Sequence, residues 1–437
     1  MTAPTLDAHL ERLRSSEPVR VHGKITDVVG LTIEATGPPM KIGDLCHVRP
    51  AGGLSPIPVE VVGFRGSRIL MMPLGDMAGI GPKSVLVPTF KPLTVRAGPE
   101  LIGRVVGGLG NPIDGGPPLR CQNEAPLLAA APAPMSRRRI IEPIATGVRA
   151  IDGCMTCGKG QRVGIMSGSG VGKSKLIGMI ARNTTADINV IALIGERGRE
   201  VRDFVEMDLG DKGLKRTVVV AATSDEPALV RIKGAYTATA IAEWFRSQGA
   251  DVMLVMDSVT RFAMAQREVG LAVGEPPTTR GYPPSVFSLL PKLLERAGTT
   301  QQGSITGFYS VLVEADDLND PIGDAVRSIL DGHIALARPL ASSGHFPAVD
   351  VLESISRVMI DVVGEGHMAA AQALRRNLAT YRDAEDLINI GAYVKGNNPE
   401  IDAAVRTMPK IREFLRQGLH EPGALDLIEK QMRKALA

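Results

Sequence analysis

The stretch MSGSGVGKSKL, Met166 to Leu176, decides how the chain is read. It follows the apolar run Val163–Met166 and precedes Leu176, Ile177, Met179 and Ile180 at helical spacing, so it sits where a strand turns into a helix. The phosphate-loop pattern asks for Gly, four residues, then Gly-Lys-Ser or Gly-Lys-Thr. Gly172, Lys173 and Ser174 match its end, while Ser167 stands where the first glycine is asked for. Gly168 and Gly170, alternating with Ser169 and Val171, are small enough to let successive backbone N–H groups face a phosphate chain. The helix start adds its positive dipole end. In this pattern Lys173 contacts the β- and γ-phosphates and Ser174 ligates Mg2+; Lys175 is counted with the nucleotide-binding set.

Two carboxylates extend the site. The apolar strand VMLVMD ends in Asp257, at a sheet edge where a carboxylate holds the metal, usually through water. Binding alone is not hydrolysis, which needs a group that orients or deprotonates the attacking water. Glu196, in IALIGERGRE, directly follows the strand after the phosphate-loop helix, at the same edge, and is the candidate general base. Arg197 and Glu200 read as its salt-bridged surroundings, and Arg199 and Arg202 as a solvated helix face.

Working outward, from Gly160 to about residue 340 apolar strands (NVIALIG, TVVVAAT, VMLVMD, SITGFYSVLV) alternate with helical stretches, the pattern of a mostly parallel sheet covered on both faces, and the domain that holds them is placed at residues 93–360. Before it, residues 18–92 carry short β-branched runs between Gly, Pro and Asp turns and predict a small separate β-barrel. Residues 1–17 hold a short amphipathic helix with Leu6, Leu10 and Leu13 on one face, which packs on the core, a partner or a membrane surface. After 361 only helical spacing remains, so residues 361–437 predict a helical domain. The Pro- and Gly-rich stretch 110–147 reads as a connection, with Arg137 to Arg139 in a solvated turn.

Bulk properties narrow the function classes. A chain of 437 residues calls for two or three domains, and 50 Lys plus Arg against 47 Asp plus Glu is too balanced to signal a nucleic-acid footprint. No apolar run is long enough to span a bilayer and no apolar signal region opens the chain, so a reduced, cytoplasmic setting is expected. Cys154-x-x-Cys157 finds no second pair or His cluster to complete a four-ligand metal site, and the four cysteines read as ordinary buried residues.

The stretches GSGVGKS, IGERGREVRDF, TSDEPALVRIKGAYTATAIAEWFRSQG, MDSVTRFAMAQREVG, PPSVFSLLPKLLERAG, SILDGHIALARPLA and FPAVDVLESISRVM together resemble the ATPases of the rotary ATP synthase α/β-subunit superfamily. Within it the chain looks like a flagellar type III export ATPase, with a virulence injectisome ATPase as the close alternative. The resemblance implies an α/β, RecA-like P-loop NTPase core between the barrel and the helices, acting on Mg-ATP. It makes Arg357, in PAVDVLESISR, the counterpart of an arginine finger that reaches the neighbouring subunit's γ-phosphate, which implies a homohexameric ring. Phe346, in GHFPAVD, aligns with an aromatic that stacks on adenine, with Tyr393 as a second candidate. Arg261, in DSVTR, either lies near the phosphates or braces the fold. The partners implied are a stalk, regulators, export chaperones and substrates, with peripheral association at the membrane export gate.

Two rivals are weighed on the residues. A rotary ATP synthase catalytic subunit would carry an acidic lever segment in its C-terminal helices, where YRDAEDLINIGAYVKGNNPEIDAAV stands instead. A ring RNA helicase would show stacking aromatics and a basic groove in its barrel, and here Phe64 is read as essentially the one aromatic. No nucleic-acid partner is expected.

Overall fold

The computed structural model describes Leu6 and residues 21–51, 55–313 and 320–437. The helix expected within residues 1–17 lies, apart from Leu6, outside them. The chain divides into two compact units, Met1–Leu93 and Thr94–Ala437.

The first unit is a closed six-stranded barrel of β1 (Gly23–Val29), β2 (Thr32–Thr36), β3 (Asp44–Arg49), β4 (Ile57–Arg65), β5 (Arg68–Pro73) and β6 (Val85–Pro92), in the order β1-β2-β5-β4-β3-β6. Alternation does the folding: Ile25, Ile33, Ala35, Cys46, Val48, Val59, Val61, Met71 and Leu86 fill the interior. Glu34, almost fully buried, is held by Arg65 at 2.9 Å and Arg68 at 2.7 Å. Phe90 on β6 is a second half-exposed aromatic beside Phe64, one that the sequence reading passed over.

In the second unit, two small pairs flank a nine-stranded sheet. The pairs are β7 (Thr94–Ala97) with β9 (Asn123–Pro126), and β10 (Pro143–Ile144) with β11 (Cys157–Gly158). The sheet runs β19 (Val349–Ser356), β18 (Gly332–Leu336), β12 (Arg162–Ser167), β17 (Ser304–Leu312), β15 (Asp251–Asp257), β13 (Ile188–Glu196), β14 (Thr217–Thr223), β8 (Val105–Gly107), with β16 (Gly298–Thr299) beside β17. Its ladders are parallel except β18 with β19 and β16 with β17. β8 lies just before the Pro- and Gly-rich connection of residues 110–147, where the sequence reading named no strand, and extends the sheet by pairing with β14.

The central strands are buried on both faces, which is why they read as unbroken apolar runs. The helix Lys173–Asn183 buries Leu176, Ile177, Met179 and Ile180, each contributing about 1.5–3 kcal/mol by burial. It ends where Arg216 and Asn189 take its last carbonyls, Ala181 O accepting at 3.0 and 2.8 Å and Thr184 O at 2.8 Å.

The change to helices near residue 360 is a change of secondary structure inside one continuous core. Helices Glu365–Asn389, Pro399–Leu415 and Ile428–Leu436 send Leu374, Ile411, Phe414 and Met432 into the same cluster as Ile151, Ile177 and Val349. Arg137, expected in a solvated turn, instead donates to the carbonyls of Ala297 (2.7 Å) and Glu295, and Arg138 to Thr300 O at 2.8 Å. All four cysteines are buried and free, and burial pushes the Cys154 thiol up to about 12, which makes it a poor nucleophile or ligand.

Candidate active site

The phosphate loop leaves the C-terminal end of β12, and its shape depends on two glycines with positive φ, Gly170 at 77° and Gly172 at 100°. Val171 between them is buried in the core and pins the loop from below. Ser169, Gly170, Ser174 and Lys175 are exposed, so the concave side is open to a ligand. A cavity of about 520 Å3 lies over the loop and is lined by Gly168 to Gly170, Gly172 to Lys175, Glu196 and Arg261.

Three of the expected residues meet at one sheet edge, Lys173 and Glu196 lining the cavity and Asp257 buried behind Lys173, because β12, β15 and β13 run parallel and end together. The Lys173 ammonium is hydrogen-bonded to Asp257 and lies 3.8 Å from Glu196 Oε1. Asp257, only 3% exposed, also accepts a 2.7 Å hydrogen bond from Ser310 Oγ. Sequence reading missed Ser310: a hydroxyl in the apolar run of β17 was visible, but its partner depends on strand order.

Glu196 is presented by a bulge. The β13–β14 register slips between Ile194 and Glu196, and Gly195 adopts φ 68°. A Cβ at Gly195 would come within 2.9 Å of Arg261 Cβ, so the Arg261 stem packs on this glycine while its Nε is buried without a hydrogen-bond partner. Arg261 thus braces the bulge and also lines the cavity.

Burial, and next the negative charge of Asp257, push the Glu196 carboxyl up to about 7; Lys173 pulls it down and Glu200 pushes it up. A general base must be deprotonated, so kcat/KM for hydrolysis is expected to rise with pH through about 7 and to fall steadily below it. A pH profile of initial rates checks this; an acid limb that begins only near the ordinary glutamate value would remove Glu196 as the titrating base.

The remaining expected residues divide. Ser167 is buried with its Oγ unpartnered. Phe346 is half-exposed and lies against the loop, since a Cβ on Gly172 would sit 3.7 Å from its ring. Lys175 lines the cavity but gives its ammonium to Asp208 at 2.7 Å. Tyr393 commits its hydroxyl to Asp402 (2.9 Å) and Asn398 O (3.0 Å), fixing a turn between the C-terminal helices. Arg197 pairs with Glu200 at 3.6 Å, and Arg199 and Arg202 pair with Asp203 and Glu206 one turn on, as an exposed helix face does.

Arg357 stands apart. β19 is antiparallel to β18, so it begins near the phosphate edge and ends at the other: Leu336 pairs with Val349, Gly332 with Ser356. Arg357 N donates to Asp331 O, next to Arg162 at the start of β12. The length of β12, roughly 17 Å, therefore separates it from its own phosphate loop. It is exposed there.

The C-terminal helices dock beside Phe346. Gln417 N donates to Phe346 O at 2.9 Å, its side chain donates to Gly147 O at 2.7 Å, and Arg149 N donates to Gln417 Oε1 at 2.8 Å. Arg182, from the phosphate-loop helix, reaches Leu419 O at 2.5 Å.

Mg2+ fits this donor set. Among the described residues no cluster of three His, Cys, Asp or Glu forms a metal cage. Ser174 follows Lys173, whose ammonium meets the buried Asp257 carboxylate, and one carboxylate and a hydroxyl completed by phosphates is how Mg2+ is usually held. No described helix is long and apolar enough to cross a membrane.

A parallel sheet with a phosphate loop, a strand-end aspartate and a buried glutamate at one edge defines a P-loop nucleoside triphosphatase. A family model for the ATP synthase alpha/beta nucleotide-binding domain matches residues 147–356, and one for the T3SS EscN ATPase C-terminal domain matches residues 363–434. The chain is 54% identical over 418 residues to a flagellum-specific ATP synthase of Bacillus subtilis, covering 95% of each chain. It is 50% identical to a type 3 secretion system ATPase of Xanthomonas euvesicatoria over 415 residues, covering 95% of this chain and 94% of that one. It resembles the assembled ATPase EscN solved with its central stalk EscO from enteropathogenic E. coli, with a TM-score of 0.88, 45% identity, and coverage of 95% of this chain and 100% of that chain. The chain belongs to the ATP synthase alpha/beta family, in the branch of flagellar and type III secretion ATPases, and is an ATPase.

Proposed function

We propose that this ATPase energises the export of flagellar proteins, working as a homohexameric ring with its active sites between subunits. One observation supports the reading: Lys173, Glu196 and Asp257 meet at one sheet edge, while Arg357, taken as the finger, follows the strand that ends at the opposite edge. A chain whose finger cannot reach its own cavity completes a site only against a second copy, and repeated head-to-tail contacts of that kind close into a ring.

In that site the loop from Ser167 to Ser174 cradles the triphosphate, Phe346 lies against the base, and Ser174 with Asp257 holds Mg2+. The metal supplies neutralisation of phosphate charge when bound. Glu196 takes a proton from water, the water oxygen bonds to the γ-phosphorus, and the bond from that phosphorus to the β–γ bridging oxygen breaks, releasing ADP. Lys173 and Arg357 of the partner subunit offset the charge on the transferring group. The hydrogen bonds from Gln417 to Phe346 and from Arg182 to Leu419 supply a route by which nucleotide turnover moves the C-terminal helices.

EscN binds a central stalk, and a stalk contact through the helical region 361–437 is proposed here by likeness. Residues 1–17 and the barrel of 18–92 would meet regulators and ring neighbours. Chaperones and export substrates, a cytoplasmic location and peripheral contact with the membrane export gate complete the reading, with no nucleic acid. The flagellar assignment rests on the 54% identity to the Bacillus subtilis relative.

Phosphate release per subunit, measured over a range of protein concentrations, tests the ring. Specific activity that climbs with concentration and tracks the appearance of hexamers by light scattering is the expected result. Full activity in particles sized as monomers would sink it. Deleting the gene in its own host is expected to abolish flagellar filaments; intact filaments with lost protein injection would move the assignment to the injectisome.

A further inference from the structure

Asp257 is held by two donors that meet on the same oxygen, Oδ1: the Lys173 ammonium and Ser310 Oγ at 2.7 Å. The two differ in what they can do when nucleotide arrives. Lys173 sits on a flexible stem beside the loop, and in a filled site the phosphates compete with Asp257 for its charge. Ser310 cannot follow. It lies fully buried on β17, the strand between β12 and β15, in register with Ile165 on one side, while its neighbour Tyr309 pairs with Met256 on the other. A carboxylate 3% exposed then keeps one charge-assisted O–H···O bond in place of two.

We propose that Ser310 is the positioning residue for the metal-side carboxylate: it holds Asp257 at the sheet edge after Lys173 swings to the phosphates, so that the carboxylate is already oriented when Mg2+ arrives with the nucleotide. The inference rests on the ATPase reading of the cavity. Lys173 has the phosphates as a second anionic partner, whereas Ser310 Oγ donates to Asp257 alone among the described residues. Among the described residues no other donor falls on Asp257.

The test is equilibrium binding of a fluorescent ADP analogue to the full chain, in excess Mg2+ and in EDTA, for wild type, Ser310→Ala and Ser310→Thr. Wild type is expected to bind more tightly with Mg2+. Ser310→Ala is expected to bind unchanged in EDTA and to lose roughly tenfold of the Mg2+ enhancement, the size of one lost hydrogen bond to a charged group. Ser310→Thr, which keeps the hydroxyl, is expected to retain the enhancement. Should the alanine variant fail to fold, Ser310→Cys, close in size with only a weak donor, is expected to show the same loss. Full enhancement in Ser310→Ala, or equal weakening with and without Mg2+, overturns the assignment while leaving the ATPase reading intact. Absence of nucleotide binding by wild type in either buffer would fell both.

Discussion

Replacing Glu196 by Gln is expected to leave nucleotide binding intact and to lower hydrolysis by about 10²- to 10⁴-fold, the span over which a positioned general base acts. Glutamine keeps the size and the hydrogen-bonding capacity of the side chain but cannot accept a proton from water. The environment of Glu196 is what gives the substitution its leverage: burial and the charge of Asp257 hold its carboxyl near 7, where it is basic enough to take a proton and ionised often enough to act. Removing one negative charge beside Lys173 and Asp257 also lessens repulsion of a polyanion, so binding in the variant is expected to equal or exceed that of wild type. Fluorescent ADP binding beside phosphate release reads both quantities. Wild-type turnover in Glu196→Gln would show that another group activates the water, and lost binding in a folded variant would make Glu196 a ligand-holding residue.

Replacing Arg357 by Ala is expected to lower hydrolysis on the order of 10³-fold without preventing nucleotide binding if, as proposed, its guanidinium acts on the charge of the transferring phosphoryl group. Placement of Arg357 at the far edge of the sheet makes a sharper version of the experiment possible. Arg357→Ala subunits and Lys173→Ala subunits are each expected to be inactive alone. Mixed equally, about a quarter of the contacts in a ring pair an intact Lys173 with an intact Arg357, so activity returns toward that fraction. A mixture as inactive as its components would place the finger's action within its own chain or end its role, and sizing the particles ensures that rings have formed.

The C-terminal docking shows where local reasoning stops. Gln417 and Arg182 are unremarkable in sequence, yet they tie the last helices to Phe346 and to the phosphate-loop helix. Lys175, counted with the nucleotide set because it adjoins Ser174, gives its charge to Asp208, thirty-three residues on. Gly195 looks like one small residue among many; its importance lies in the bulge and in the arginine stem packed over it.

What the sequence determined by itself was whatever depends on neighbours along the chain. The phosphate loop is a contiguous signal, and a strand, a glycine-rich turn and an apolar-faced helix specify its conformation locally, so Lys173 and Ser174 were legible at once. Glu196 and Asp257 were legible because parallel strands end at a common edge, so the residue after each apolar run falls there. Tertiary structure alone decided which strands lie side by side: β17 between β12 and β15 brings Ser310 to Asp257, and the antiparallel β19 carries Arg357 to the edge away from its own site. Strand order is set by how the apolar faces of the whole sheet and its helices are buried together, a balance spread over hundreds of residues that no local window contains.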